Sequence, residues 1–184
     1  MNALKMLVFI GVFLCSFAAM GDDFPMAESS GSNNMNVGSY HIDILLPTYM
    51  QWTLYKDNKD VSGYTKIYLP QKANNMSDQN ITVNYSKDVQ TSLKDSMQEV
   101  VNALDNTDCK VQDTKILTKL NKSIVFTVAL DQCANNKSAI QVFKIFNTED
   151  GQYSIIYSAD LTVTDQDTVN KMKSTIEFAR LVVN

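Results

Sequence analysis

Apolar residues recur at every second position through much of this chain, and this alternation limits the folds that it can adopt. In SIVFTVAL the even positions from 124 to 130 are all large and apolar, and the odd positions between them are Val125, Thr127 and Ala129. A strand that is apolar on both faces belongs inside a sheet that is covered on both sides. We therefore expect this strand to be central, with other layers packed above and below it.

Shorter alternating segments predict further strands. HIDILL, YTKIYL and ITVNY precede the central segment, and AIQVFKIFN and QYSIIYSADL follow it. TEDG separates the last two segments and places Gly151 where a tight turn accepts positive φ. Because strands joined by short turns are antiparallel, a meandering antiparallel sheet is expected.

Two segments carry the helical period instead. Residues 91 to 106 and residues 164 to 183 repeat apolar side chains three and four positions apart. Ser92 and Asp95 would cap the first helix, and Thr164 and Asp167 would open the second, which we expect to continue to Val183. The predicted fold is α+β, an antiparallel β-sheet of about six or more strands flanked by amphipathic helices.

The first 21 residues have the pattern of a secretory signal peptide. Lys5 precedes an uncharged run from Met6 to Ala19, and small residues permit cleavage after residue 18 or residue 21. The run has about fourteen residues, fewer than the roughly 20 that a membrane-spanning helix needs. Leu14 before Cys15 fits lipidation poorly. We therefore expect no stable membrane anchor and a secreted protein, with the periplasm as the alternative destination.

Signal removal leaves a leader and one domain. Residues 22 to 39 are rich in Ser, Asn and Gly, and we expect them to be a disordered leader. A single α+β domain would then occupy residues 40 to 184. The full sequence has a formal net charge of −4 and its lysines are scattered among acids, so nucleic acid is not an expected partner.

Two cysteines, Cys109 and Cys133, remain after the signal is removed, each twelve residues from Asn121. A hairpin with a three-residue turn centred on Asn121 would place them opposite each other, and a two-residue turn would place them one position out of register. A thiolate nucleophile would need a base, and the one histidine, His41, is distant in sequence. Zinc would need four ligands, and no C-x-x-C spacing is present. The sequence therefore predicts a disulfide.

Other chemistry is not indicated. G-x-S-x-G is absent, and six glycines are too few and too dispersed for a phosphate-binding loop. DNKDVSG, residues 57 to 63, has Lys59 and Val61 where a calcium loop needs oxygen ligands, so we expect a hairpin turn there. We therefore predict no catalytic residue, no metal site and no cofactor.

An aromatic group offers the candidate surface for a partner. Tyr49, Trp52, Tyr55 and Tyr64 lie close together in the sequence, and tyrosine and tryptophan are enriched where proteins recognise one another. The competing interpretation is that core packing and sheet propensity explain most of this group.

The stretch from about Tyr40 to Val183 resembles the PsbP-like fold. The resemblance is carried by LLPTYMQW, by YLPQ before the third predicted strand, by the helix of residues 91 to 106, by the long hairpins and by the closing helix. It implies an α/β/α sandwich, a fold shared by photosystem accessory proteins, a Ran-binding import factor of the Mog type and small exported bacterial proteins.

Three functions follow as hypotheses. The first is an exported, non-enzymatic protein-binding module, monomeric, acting as a bacterial effector on a host protein; the Mog-type resemblance implies a small GTPase. The second is a periplasmic or envelope accessory protein, or a carrier of a small ligand or lipid. The third is a hydrolase that uses a pair of acids or His41.

Overall fold

The computed structural model describes residues 38–48, 50–71, 78–133 and 136–183. The predicted signal peptide, nearly all of the predicted leader and Tyr49 lie outside these residues. In the described ranges the strands are β1 (Tyr40–Asp43), β2 (Trp52–Asp60), β3 (Gly63–Pro70), β4 (Gln79–Lys87), β5 (Lys110–Lys119), β6 (Ser123–Cys133), β7 (Lys137–Asn147), β8 (Gly151–Asp160) and β9 (Arg180–Val183). The helices are α1 (Leu93–Asp105) and α2 (Gln166–Phe178).

Seven strands form one antiparallel sheet in the order β2-β3-β4-β8-β7-β6-β5. Two meanders, β2 to β4 and β5 to β8, meet along the β4–β8 pair. Helix α1 carries the chain from β4, inside the sheet, to β5 at its far edge. The predicted α+β class and the antiparallel sheet of more than six strands are confirmed.

Each helix packs on a different face of the sheet. On one face the apolar side of α2, including Met172 and Ile176, packs with Tyr153 and Ile155 of β8. On the other face α1, including Leu104, packs with residues that include Phe126 of β6 and others from β7. Strand β6 is buried on both faces as predicted, but it lies beside the edge strand β5 and not in the middle of the sheet.

Capping residues explain where the helices begin. Ser92 caps α1 and accepts a hydrogen bond from the backbone N–H of Asp95, as predicted. The cap of α2 is one residue later than expected: Asp165, and not Thr164, accepts the backbone N–H of Thr168 at 2.8 Å. A carboxylate at this position also suits the positive end of the helix dipole.

The prediction that the second helix runs to Val183 is wrong. Helix α2 ends at Phe178, Ala179 is extended, and Arg180–Val183 forms β9. This strand pairs antiparallel with β1, so that Leu181 lies opposite Ile42 and packs toward the core. A partner strand nearly 140 residues away decides the conformation of a segment whose own sequence also fits a helix.

Strand β2 was also not predicted, because it carries little apolar alternation. It is an edge strand, exposed over almost its whole length. The expected hairpin turn is therefore shorter than residues 57 to 63 and lies between Asp60 and Gly63. The Asp60 carboxylate accepts the backbone N–H of Ser62 at 2.7 Å. Gly63 has φ of 154°, and a Cβ there would lie 1.9 Å from the carbonyl oxygen of Tyr85.

The predicted disulfide is present, with the sulfur atoms of Cys109 and Cys133 2.02 Å apart. The hairpin turn is the two-residue version, because the backbone N–H of Leu120 donates to the carbonyl of Ser123 at 2.8 Å. Two irregularities in β5 then shift its register against β6. The disulfide joins the residue before β5 to the last residue of β6, and so fastens an edge strand to the sheet.

Candidate functional site

The predicted aromatic surface is not assembled as one surface. Tyr64 is 9% exposed and belongs to the core under α2, where its ring lies 5.8 Å from that of Tyr85. Burial raises the pKa of Tyr64 to about 12. Strand β3 turns this side chain inward, so Tyr64 is not available to a partner.

Trp52 and Tyr55 have different environments on β2. Trp52 packs against the same core as Tyr64, and its indole N–H is buried with no hydrogen-bond partner among the described residues. Tyr55 is 37% exposed, beside a register shift in the edge strand. Tyr49 lies outside the described residues. In the structure, β2 therefore presents one clearly exposed aromatic residue from the predicted group.

A second surface lies on the small sheet formed by β1 and β9. Successive side chains of a strand point to opposite faces. Tyr40, Ile42 and Leu181 point toward the core. The other face, which we call the ribbon face, carries two rows of residues. The rows begin with His41 and Asp43 of β1 and with Val182 and Arg180 of β9. Leu45, after β1, and Phe178, at the end of α2, continue the face at one end, where both line a cleft with Asp43 and Arg180.

Large apolar side chains are exposed at one end of the ribbon face. Leu45 is 81% exposed and Phe178 is 80% exposed, and Val182 contributes further along the ribbon. Leu45 and Phe178 line a cleft of about 550 Å³ between the ribbon and the last turn of α2. The polar residues of the cleft are Asp43, Arg180, Ser174 and Thr175.

Two opposite charges lie beside this cleft and do not pair with each other. Arg180 is the one arginine in the sequence, and its Cα is the cross-strand partner of the Cα of Asp43. The ion pairs among the described residues join Lys137 to Asp160 and Lys171 to Asp167, so they leave both of these side chains out. Within the described ranges, therefore, no ion pair neutralises either the guanidinium or the carboxylate.

Lys144 fixes the backbone on both sides of Phe178. It extends from β7 under α2, is 7% exposed, and donates to the carbonyl oxygens of Glu177 at 2.5 Å and Ala179 at 2.7 Å. Burial lowers the pKa of Lys144, although the charge of Glu177 opposes this effect. Thr118 of β5 also donates a hydrogen bond to the Glu177 carboxylate. An exposed aromatic ring is thus carried on a tightly held backbone.

Tyr153 and Asp150 hold the opposite end of the ribbon. The Asp150 carboxylate accepts the backbone N–H of Ser39 at 2.7 Å and the hydroxyl of Tyr153 at 3.1 Å. The Tyr40 backbone N–H donates to the same hydroxyl at 3.3 Å, and the two rings meet edge to face. Burial alone would raise the pKa of Asp150, but these hydrogen bonds and one from Thr148 outweigh it and lower the pKa.

Two kinds of reactive group bear on the chemistry of the described residues, a thiolate and a bound metal ion. Cys109 and Cys133 are joined to each other, so neither supplies a thiolate nucleophile. No cluster of three or more His, Cys, Asp or Glu side chains suited to a metal ion occurs in the described ranges. Within the same ranges, every helix is too short or too polar to cross a bilayer.

Comparison with models of protein families found no match, and comparison with curated proteins found no similar sequence. Function is therefore inferred from the ribbon face itself. The sequence pattern does not reveal this face, because residues 164 to 183 also fit one continuous helix. One signal was present: Phe178 falls two positions after the buried Ile176, off the apolar side of α2, and precedes the sole arginine.

Proposed function

We propose that this protein is an exported, non-enzymatic protein-binding module and that the ribbon face contacts its partner. The observation that carries the proposal is Phe178, an aromatic ring that is 80% exposed beside a cleft and close to Arg180, which forms no ion pair with a described residue. Leu45, which is 81% exposed, lines the same cleft, so the exposed apolar surface is shared by neighbouring residues, as at interaction sites.

The composition and rigidity of the face support binding to protein. Phenylalanine and arginine are enriched in interface cores, and arginine is frequent among the residues that dominate binding energy. Lys144 holds the carbonyl groups on both sides of Phe178, so little backbone freedom would be lost when a partner binds. The ring is pre-organised for contact.

Export is supported by the signal-like N-terminal sequence and by the disulfide, which suits an oxidising compartment. We further propose the PsbP-like fold, since a helix packs on each face of the antiparallel sheet. The resemblance to the Mog type makes a small GTPase of a host cell the first partner to test. A secreted effector is favoured, and a periplasmic accessory protein is the alternative.

The proposal is tested by affinity capture with the purified secreted protein, from host-cell lysate and from bacterial envelope extract. The test variant is Phe178→Ala with Arg180→Ala. The matched control is Leu120→Ala with Lys122→Ala, which removes an exposed apolar residue and a charge at the β5–β6 turn. We expect an identified protein that the control captures and the test variant loses, and a captured GTPase is then assayed for nucleotide exchange.

Equal capture by the two variants would contradict the role of the ribbon face. Failure to capture any protein specifically from either extract would count against the binding module as a whole.

The cleft supports a small-ligand carrier as the second candidate. Its volume of about 550 Å³ lies within the range of small-molecule sites. The cleft combines the apolar side chains of Leu45 and Phe178 with the charged side chains of Asp43 and Arg180. The test is titration with the apolar dye anilinonaphthalene sulfonate. Saturable binding that Leu45→Ala abolishes would favour a carrier, whereas no binding by the native protein would exclude an apolar ligand site there.

A further inference from the structure

We infer that the ribbon face is self-complementary and that a second copy of this chain is its occupant when no other partner is present. The inference uses the face assigned under the proposed function but does not depend on a heterologous partner. It replaces the monomer expected from the sequence with a weak symmetric dimer.

The geometry of the ribbon leads to this conclusion. Asp43 lies opposite Arg180, and His41 lies opposite Val182. Leu45 lies two residues after Asp43 and Phe178 two residues before Arg180, and both line the same cleft. A two-fold axis parallel to the strands, running above the face and midway between them, exchanges the two rows and keeps each residue at the same height. Each row of one copy would then face the opposite row of the other.

Charge complementarity follows from that exchange. The carboxylate of Asp43 in one copy would meet the guanidinium of Arg180 in the other, and the symmetry produces this pair twice. Neither group forms an ion pair with a described residue of its own chain, so no internal contact must be broken. Arginine and carboxylate can join through two parallel hydrogen bonds, which fix orientation as well as adding energy.

Apolar contacts follow the same operation. Phe178 of one copy would cover Leu45 of the other at two symmetric places, and both side chains are about four-fifths exposed in the single chain. Such an interface is isologous, because the same patch serves both copies and no further copies are recruited. It would remain a closed dimer.

The size of the face indicates that the dimer is weak. Six residues from each copy are fewer than the roughly 20 to 30 of a standard interface. We therefore expect a dimer that forms at high protein concentration and dissociates on dilution.

The test is sedimentation equilibrium of the purified secreted protein over a wide concentration range. Arg180→Asp should weaken association by about tenfold or more, and Asp43→Arg should do the same, since each places like charges together. The double variant R180D/D43R should restore association, because every opposite-charge pair is regenerated. Lys122→Asp is the control, since it makes the same change of charge at the β5–β6 turn.

A protein that stays monomeric up to the solubility limit would overturn the inference, as would association that the single reversals leave unchanged. If a reversal prevents folding, Phe178→Ala provides the second test and should also weaken association. Because no partner is present in these experiments, their failure leaves the capture result untouched. Conversely, failed capture with intact self-association would overturn only the heterologous partner.

Discussion

The edge strand β2 and the ribbon face are both exposed, but they expose different chemistry. From residue 56 to residue 60, β2 presents Lys, Asp, Asn, Lys and Asp, and a register shift interrupts its pairing with β3. The ribbon face presents Phe178, Leu45 and Val182 together with two opposite charges, those of Asp43 and Arg180. Charges and irregularities protect a sheet edge from pairing with other chains. Exposure alone therefore does not identify a binding surface, and what distinguishes the ribbon face is that its most exposed side chains, Leu45 and Phe178, are large and apolar.

The comparison leads to separate expectations for the two regions. Substitutions at the sheet edges should change stability, and substitutions on the ribbon face should change partner binding. The other edge strand, β5, provides the largest expected effect on stability. Replacing Cys109 and Cys133 by serine removes the covalent link between the start of β5 and the end of β6, and for a loop of this length the free energy of unfolding should fall by about 3 kcal/mol.

Urea denaturation of the serine variant and of the native, oxidised protein measures this loss. Partner capture by the serine variant, below its unfolding temperature, should be unchanged. Loss of capture by the folded variant would contradict the expectation that the β5 edge affects stability and not partner binding.

Lys144→Met should affect both properties, because this side chain joins the sheet to the base of the ribbon face. Two carbonyl groups lose their donor, and the free energy of unfolding should fall by about 1 to 3 kcal/mol. The rate of backbone amide hydrogen exchange should increase more at Ala179 and Arg180 than in the rest of the described residues. Lys144→Arg, which keeps the charge and donors, should recover part of the binding that Lys144→Met loses. A stability loss without faster exchange at these residues would contradict the role in positioning Phe178.

Phe178→Ala should separate the two properties most clearly. Little of the Phe178 ring is buried within its own chain, so the free energy of unfolding should change by less than about 0.5 kcal/mol. Affinity for the captured partner should fall by about 2 kcal/mol, which is roughly thirtyfold. Calorimetry measures both quantities, and a large stability loss with unchanged affinity would assign the ring to the fold.

Acid should loosen the ribbon through Asp150. Its folded-state pKa lies below its unfolded value, so its contribution to stability is complete above the unfolded pKa near 3.9 and is lost as pH falls through the folded pKa. The unfolding temperature of the native protein should therefore decline as pH is lowered from about 5 toward 3. The unfolding temperature of the Asp150→Asn variant should decline less steeply over the same range. Parallel curves for the two proteins would show that Asp150 does not contribute.

The smallest effect is expected at β2. Lys59→Ala changes an exposed residue of the charged edge, so unfolding free energy and partner affinity should both stay within about 0.5 kcal/mol of the native protein. A marked loss of affinity would indicate that β2, and not the ribbon face, contacts the partner.

Sequence was most informative where local pattern and packing agree. The Ser92 cap, the doubly apolar β6 and the cysteine pair each rest on signals within a few turns or within one hairpin. Sequence was least informative at β2, whose polar residues carry no alternation, and at β9, whose pairing with β1 depends on a distant segment. The candidate site depends on that pairing, and one of the aromatic residues predicted from sequence to contact a partner, Tyr64, lies in the core instead.

The pairing of Tyr40 with Val183 places the two ends of the described domain side by side. A force that draws these ends apart would separate β1 from β9 one residue pair at a time, as in a zipper, and would not shear the seven-stranded sheet. The ribbon would therefore open under a small load while the rest of the fold remains intact. The surface proposed to bind a partner would be the first part of the molecule lost to mechanical stress and the first regained when tension is released.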